Sequence, residues 1–208
     1  MIIASLRRIP DFVRAQATGD WAYGRYEALA DKTVLIVGYG SVGEAIERRL
    51  AGFEVDVLRV ARSARQGEPE VHAFDDLPRL LPNADVVVLV TPLTQQTKGM
   101  VNTAFLGRMK PGALLVNAAR GPVVVTDDLL AAVKSGQVRA ALDVTDPEPL
   151  PADHPLWAEP NVLISPHVGG NTSAFLPRAH RLVAQQLHRF AAGQPLLNVM
   201  ARPDSVSA

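Results

Sequence analysis

The 208-residue sequence contains no cysteine, which excludes disulfides, thiolate zinc sites and a cysteine nucleophile and agrees with a reducing compartment. Neither sign of charge is in excess. Lys and Arg number 21 and Asp and Glu 21, so no global basic field exists to hold nucleic acid or an anionic membrane. Long hydrophobic runs are missing too: the apolar stretches have strand length, far below the roughly 20 residues that span a bilayer. The start, Met1-Ile-Ile-Ala-Ser-Leu-Arg-Arg, shows no basic leader before its apolar residues and no export-type core. Nucleic acid and membrane are therefore not expected as partners, and a cytoplasmic protein is. With 48% hydrophobic and 20% charged residues the composition is that of a packed chain, neither disordered nor collagen-like.

Apolar runs recur at 33–38, 54–60, 85–91, 113–117, 139–144 and 161–165, with helical patterns at 42–50, 76–81, 103–109, 127–134 and 172–192. Val86-Val87-Val88-Leu89-Val90 is apolar at every position, as a strand covered on both faces must be. Strict alternation of strand and helix predicts an α/β fold, a doubly wound parallel sheet with right-handed crossovers, over residues 1–200. Thr126 before Asp127-Asp128 reads as a helix start; Gly136, and Gly193 with Pro195, read as helix ends. Residues 1–17 read as one helix bent at Pro10, with Ile2, Ile3, Leu6, Ile9 and Val13 on an apolar stripe that needs either its own sheet or a second subunit. The prolines at 147, 149, 151, 155 and 160 suggest a structured loop, and the small polar residues 201–208 a flexible tail.

Gly38-Tyr-Gly40-Ser-Val-Gly43 follows a strand and opens a helix, the context a dinucleotide-binding turn requires. The first glycine makes the turn, the second admits a pyrophosphate close to the backbone, and the third lets helix and strand pack. Ser41 and Glu44 match a capping box. An acid for the ribose 2′-hydroxyl of NAD is expected about 20 residues on, at the end of the second strand. The count from Gly38 reaches Arg59 instead, followed by Arg62 and Arg65 with no acid between them, while Asp56 lies inside the strand. An arginine fork suits a 2′-phosphate, which favours NADP(H) and leaves NAD possible; three solvated arginines are the competing reading.

Arg120, Glu148 and His167 each lie just beyond the end of a predicted strand, where open α/β sheets bind ligands. Each alone would be an ordinary loop residue. Together they suit reduction of a 2-keto acid, which needs a cation to hold the carboxylate and polarise the carbonyl, and an acid to protonate the developing alkoxide. Arg120 serves the first need and His167 the second, with Glu148 stabilising the imidazolium. Asp143 either orients the nicotinamide amide or tunes the histidine.

These segments, with Thr91-Pro-Leu-Thr-Gln-Gln-Thr97, Met109-Lys-Pro-Gly-Ala-Leu-Leu-Val-Asn-Ala-Ala-Arg-Gly121, Ala141-Leu-Asp-Val-Thr-Asp-Pro-Glu-Pro-Leu150 and Ser165-Pro-His-Val-Gly169, resemble the nucleotide-binding domain of the D-isomer-specific 2-hydroxyacid dehydrogenases. The resemblance covers about residues 1–200 and implies a Rossmann fold. It implies Arg120, Glu148 and His167 as the catalytic set. It also implies cofactor contacts from Ser41-Val42, Thr91-Pro92, Ala118-Ala119, Asp143 and the 167–169 segment that ends at Gly169. The arginines after the second strand are similar to those of the NADPH-preferring glyoxylate and hydroxypyruvate reductases in that family. Thr145, where the family usually has an aromatic residue, and Gly169-Gly-Asn-Thr172 are departures. Residues 1–17 resemble the arm helix that builds the family's homodimer. The expected function is hydride transfer between NADP(H) and a small 2-keto or 2-hydroxy acid. The family's separate substrate-binding domain has no counterpart here, so a dinucleotide-binding module without catalysis of its own is the alternative.

Overall fold

The runs that are apolar at every position fold as strands covered on both faces. The computed structural model describes residues 1–199; the tail expected over 201–208 lies outside them. In chain order the helices and strands are α1 (Ile2–Leu6), α2 (Ile9–Thr18), β1 (Thr33–Val37), α3 (Ser41–Leu50), β2 (Asp56–Ala61), β3 (His72–Ala73), α4 (Leu77–Leu80), β4 (Val86–Leu89), α5 (Thr103–Arg108), β5 (Ala113–Asn117), α6 (Thr126–Lys134), β6 (Val138–Leu142), β7 (Val162–Ile164) and α7 (Phe175–Ala191). The seven strands form one parallel sheet in the order β3-β2-β1-β4-β5-β6-β7. The order reverses direction at β1, between β2 and β4, which makes the crevice above those strand ends the switch point of the sheet.

Alternate residues of one strand enter two separate cores. Val34, Ile36, Val86, Val88, Leu114 and Val116 pack with Leu6 of α1 and Leu50 of α3. Leu35, Val37, Val87, Leu89 and Leu115 pack on the other face with Leu77 and Leu80 of α4, Phe105 and Leu106 of α5, and Leu129 and Val133 of α6. Each such buried aliphatic side chain contributes about 1.5–3 kcal/mol of transfer free energy, so the sheet is the main source of stability. The proline loop is ordered as expected: Leu156 is buried and Trp157 Nε1 donates to the Pro151 carbonyl at 2.8 Å.

Three local expectations are corrected, and one strand, β3, lies outside every expected run. The first helix is two helices rather than one bent helix. A continuous helix would press the Pro10 ring against the Leu6 carbonyl, so the chain turns at Arg8 (φ +52) and Pro10 enters the first turn of α2, where no N–H is needed. Strand β3, two residues long, is too short to carry a periodic signal. Gly40, not Ser41, is the N-cap of α3, and no side chain caps that helix. Thr126 is likewise inside α6, its hydroxyl donating to the Asp146 carbonyl at 2.6 Å.

By its internal contacts the chain divides into two compact units, Met1–His167 and Val168–Ala208. The second carries α7 and a return segment fixed by paired bonds: Gln186 Nε2 donates to the Leu197 carbonyl at 2.5 Å, and the Leu197 N–H to Gln186 Oε1 at 2.9 Å.

Candidate active site

The glycine turn sits at the switch point, and its three glycines do different work. Gly38 has φ +107, and a Cβ there would lie 2.7 Å from the Val90 carbonyl carbon and 2.8 Å from the Thr91 nitrogen. A Cβ on Gly43 would stand 2.8 Å from the Gly38 carbonyl oxygen. A Cβ on Gly40 would meet nothing within 4 Å. The first and third glycines thus close the turn onto β4 and α3, while the second faces open space. Ser41 and Val42 beside it are exposed, and α3 carries no side-chain cap among the described residues. Its first-turn N–H groups and dipole therefore offer an acceptor site for negative charge. Next to this turn the Thr91 hydroxyl is buried with no partner among the described residues, and Pro92 beyond it is exposed. The open second glycine, uncapped helix and orphaned hydroxyl fit a dinucleotide whose pyrophosphate rests on α3; Gly38, Gly40, Ser41, Val42, Gly43, Thr91 and Pro92 would hold it.

Arg59 is not at the end of its strand. It is the fourth residue of β2, opposite Ile36, and its side chain turns to α3. Arg59 Nε lies 3.0 and 2.9 Å from the two Glu47 carboxylate oxygens, its Nη2 also reaches Glu47, and Nη1 donates to the Val57 carbonyl at 3.1 Å. Glu47 also accepts from the Tyr39 hydroxyl. The Arg59 guanidinium holds the Glu47 carboxyl below its ordinary value, and Glu47 in turn raises Arg59. Burial and then Glu47 push the Tyr39 phenol up. Arg62, directly after β2, is exposed and makes no hydrogen bond or ion pair among the described residues.

His167 and Glu148 are brought together. The Nδ1 of His167 lies 2.7 Å from Glu148 Oε1, both side chains being roughly half exposed. The His167 N–H is shared between the carbonyls of Asp143 (2.8 Å) and Ser165 (3.0 Å), and its backbone is left-handed at φ +53, an uncommon conformation for a residue with a Cβ. Asp143 is buried, and the Ser165 hydroxyl donates to its Oδ1 at 2.5 Å. Arg120 is on the neighbouring loop, after β5. No hydrogen bond or ion pair joins it to His167 or Glu148 among the described residues; its Nη1 donates to the Ala119 carbonyl at 2.6 Å. Ala118 is exposed and Ala119 buried beside it. Gly169 falls in the second unit and is exposed.

Two residues that sequence reasoning missed organise this edge. Asn117, buried at the end of β5, accepts the Ala119 N–H at 3.1 Å and donates to the Arg120 carbonyl at 3.1 Å, while its own carbonyl accepts the Asp143 N–H at 2.9 Å. Ser165 ties the end of β7 to Asp143. The signal for Asn117 was one amide ending the run Ala-Leu-Leu-Val-Asn, because a buried amide must find partners.

A switch-point turn of this kind, above a parallel sheet, defines a dinucleotide-binding domain. Residues 1–169 match the family model described as D-isomer specific 2-hydroxyacid dehydrogenase, NAD binding domain, and the chain belongs to that family. It is 36% identical over 211 residues to the glyoxylate reductase/hydroxypyruvate reductase of Homo sapiens, covering 94% of this chain and 62% of that protein. It is 41% identical over 177 residues to the glyoxylate reductase of Pyrococcus furiosus, covering 84% of this chain and 52% of that one. The chain therefore spans between half and two thirds of these relatives. Among solved structures it is similar to a D-isomer specific 2-hydroxyacid dehydrogenase from Xanthobacter autotrophicus in complex with NADPH and MES, with TM-score 0.81 and 37% identity, covering 96% of this chain and 83% of that one.

Proposed function

We propose that this chain supplies the cofactor-binding and acid–base half of an NADP(H)-dependent 2-hydroxyacid dehydrogenase that reduces a small 2-keto acid of the glyoxylate or hydroxypyruvate class. The observation that carries the reading is the His167–Glu148 pair at 2.7 Å, set on the loops that follow the adjacent strands β7 and β6. The bound dinucleotide supplies or takes up the hydride. His167 donates the proton from Nε2 to the developing alkoxide, since Nδ1 faces Glu148. Glu148 orients the ring and balances the charge of its protonated form. Arg120, whose Nε and Nη2 make no hydrogen bond among the described residues, grips the substrate carboxylate in a fork and draws charge from the carbonyl. Asp143, Ala118 and Ala119 line the nicotinamide end in this reading. Two relatives named glyoxylate reductases and a neighbour holding NADPH support the substrate class and the cofactor preference.

The same reading makes the chain a cytoplasmic homodimer. The outer faces of α1 and α2 leave Ile3, Ile9 and Val13 exposed, and a second copy would cover them. Sedimentation of Val13→Glu against the parent checks this, with a shift to monomer expected. The activity itself is tested by steady-state assay of this chain with NADPH and a panel of 2-keto acids. Turnover that disappears in His167→Ala, with NADPH binding retained, supports the assignment; retained turnover in that variant removes His167 from it.

A further inference from the structure

We propose that Thr126 and Thr145 are positioning residues for Glu148, their two hydroxyls holding the exposed segment 146–149 so that its carboxylate meets His167. The inference rests on the acid–base reading of the His167–Glu148 pair and assigns what keeps that pair closed.

Glu148 sits on a segment with little to hold it. Val144 and Leu150 are buried, but residues 146–149 between them are exposed. Pro147 and Pro149 have no N–H to donate, and among the described residues 144–150 form no backbone–backbone hydrogen bond. A stretch of this kind opens readily, because nothing offsets the entropy of ordering it. The pair with His167 is too exposed to supply that alone, since ion pairs open to water contribute little.

Three successive carbonyls supply the order. That of Thr145 packs on Gly121, the residue after Arg120. That of Asp146 accepts the Thr126 hydroxyl at 2.6 Å, and that of Pro147 accepts the Thr145 hydroxyl at 2.9 Å. Glu148 is the next residue. Thr126 is the first residue of α6, whose Leu129 and Val133 are in the core, so its bond ties the segment to a rigid element. The Thr145 bond is local and closes the turn that aims Glu148. Besides the contact with His167, these two are the only hydrogen bonds of residues 144–150 among the described residues. The same two bonds account for two features of the sequence. Thr145 stands where the family usually has an aromatic residue, and Thr126 has the hydroxyl of a cap without capping its helix.

The test is nitrogen NMR of the His167 ring in the full chain, recorded above the pH range in which a histidine titrates. Which ring nitrogen keeps the proton is set by the hydrogen bond the ring makes, so a closed pair holds it on Nδ1, facing the Glu148 carboxylate. The readout is the ratio of the Nδ1-protonated to the Nε2-protonated ring, with Glu148→Ala as the open reference. Thr126→Val and Thr145→Val are each expected to lower the ratio by about threefold or more, the loss of one hydrogen bond, and the double variant to bring it to the reference. Thr126→Ser and Thr145→Ser keep the hydroxyls and are expected to keep the parent ratio. In a steady-state assay with glyoxylate kcat follows the ratio, while NADPH affinity stays within about twofold. A ratio unchanged in the double variant overturns the proposal, and the packing of Val144 and Leu150 then holds the segment. So does a ratio lost equally in the serine and valine variants, since the hydroxyl would not be what acts. A parent ratio equal to that of Glu148→Ala overturns the paired reading beneath the proposal. No turnover in the parent, with the ratios as expected, removes the catalytic reading and leaves the positioning of Glu148 intact. Unchanged thermal unfolding of the variants keeps the comparison local.

Discussion

The imidazole of His167 and the carboxylate of Glu148 face each other at 2.7 Å across the ends of the paired strands β7 and β6. The contact joins two loops, and each loop is held by its own strand. Glu148→Gln keeps the size and an acceptor but removes the charge. It is expected to lower kcat for glyoxylate about 10²-fold, within the usual range for general acid–base assistance, with NADPH affinity unchanged. Steady-state kinetics beside an NADPH titration check it. A parallel loss of cofactor affinity would make the pair a structural feature of the loop.

Gly121 and Gly40 are expected to respond in opposite ways to alanine. A Cβ on Gly121 would sit 1.8 Å from the Thr145 carbonyl oxygen, a backbone atom with nowhere to move, because the loops after β5 and β6 stack directly. Gly121→Ala should cost more than about 3 kcal/mol or prevent folding. A Cβ on Gly40 meets nothing within 4 Å, so Gly40→Ala should leave stability within about 0.5 kcal/mol while weakening dinucleotide binding at least tenfold. Chemical denaturation and cofactor titration on the two variants separate the outcomes.

The sheet was readable because a run such as 86–90 is apolar on both faces, and only a doubly covered strand needs that. The meeting of His167 and Glu148 was approachable because both lie on loops that follow expected strands. What escaped was set by contacts distant in sequence. A count from Gly38 reaches Arg59 but does not reveal that Glu47, on the helix in between, claims it. Ser41 and Thr126 have the chemistry of caps, yet both helices begin one residue earlier than such caps require, the first set by the Gly40 turn and the second tied to Asp146. Tyr39 reads as the variable position of a glycine motif, and its contact with Arg65 depends on the fold of the 65–71 segment.

Asn117 is expected to be more costly to lose than its size suggests. Its side chain satisfies the Ala119 N–H and the Arg120 carbonyl from a buried position, so Asn117→Ala leaves both groups short of a partner. A buried unsatisfied polar group costs about 1–3 kcal/mol. The variant should lose about 2–4 kcal/mol by denaturation and, because the Arg120 backbone is released, raise KM for the keto acid more than it lowers NADPH affinity. Asn117→Asp keeps one acceptor and should fall between.

Asp85 binds the opposite edge of the sheet together, accepting the Thr33 N–H at 2.8 Å and Lys110 Nζ at 2.9 Å. Burial alone would push its carboxyl up, but the Thr33 N–H and the Lys110 ammonium outweigh it and leave the group below its ordinary value. A carboxyl lowered in the folded state contributes stability that is complete above its unfolded value and is lost as pH falls through the folded one. Asp85→Asn keeps an acceptor for Thr33 and gives up the charge. It should therefore cost about 1 kcal/mol near neutral pH, the scale of a charge-assisted hydrogen bond, and progressively less as the parent itself protonates. Urea denaturation of both proteins at about pH 7 and about pH 2.5 measures the gap. A gap of equal size at both would assign the loss to altered packing at the β1–β4 edge instead of to the charge on Asp85.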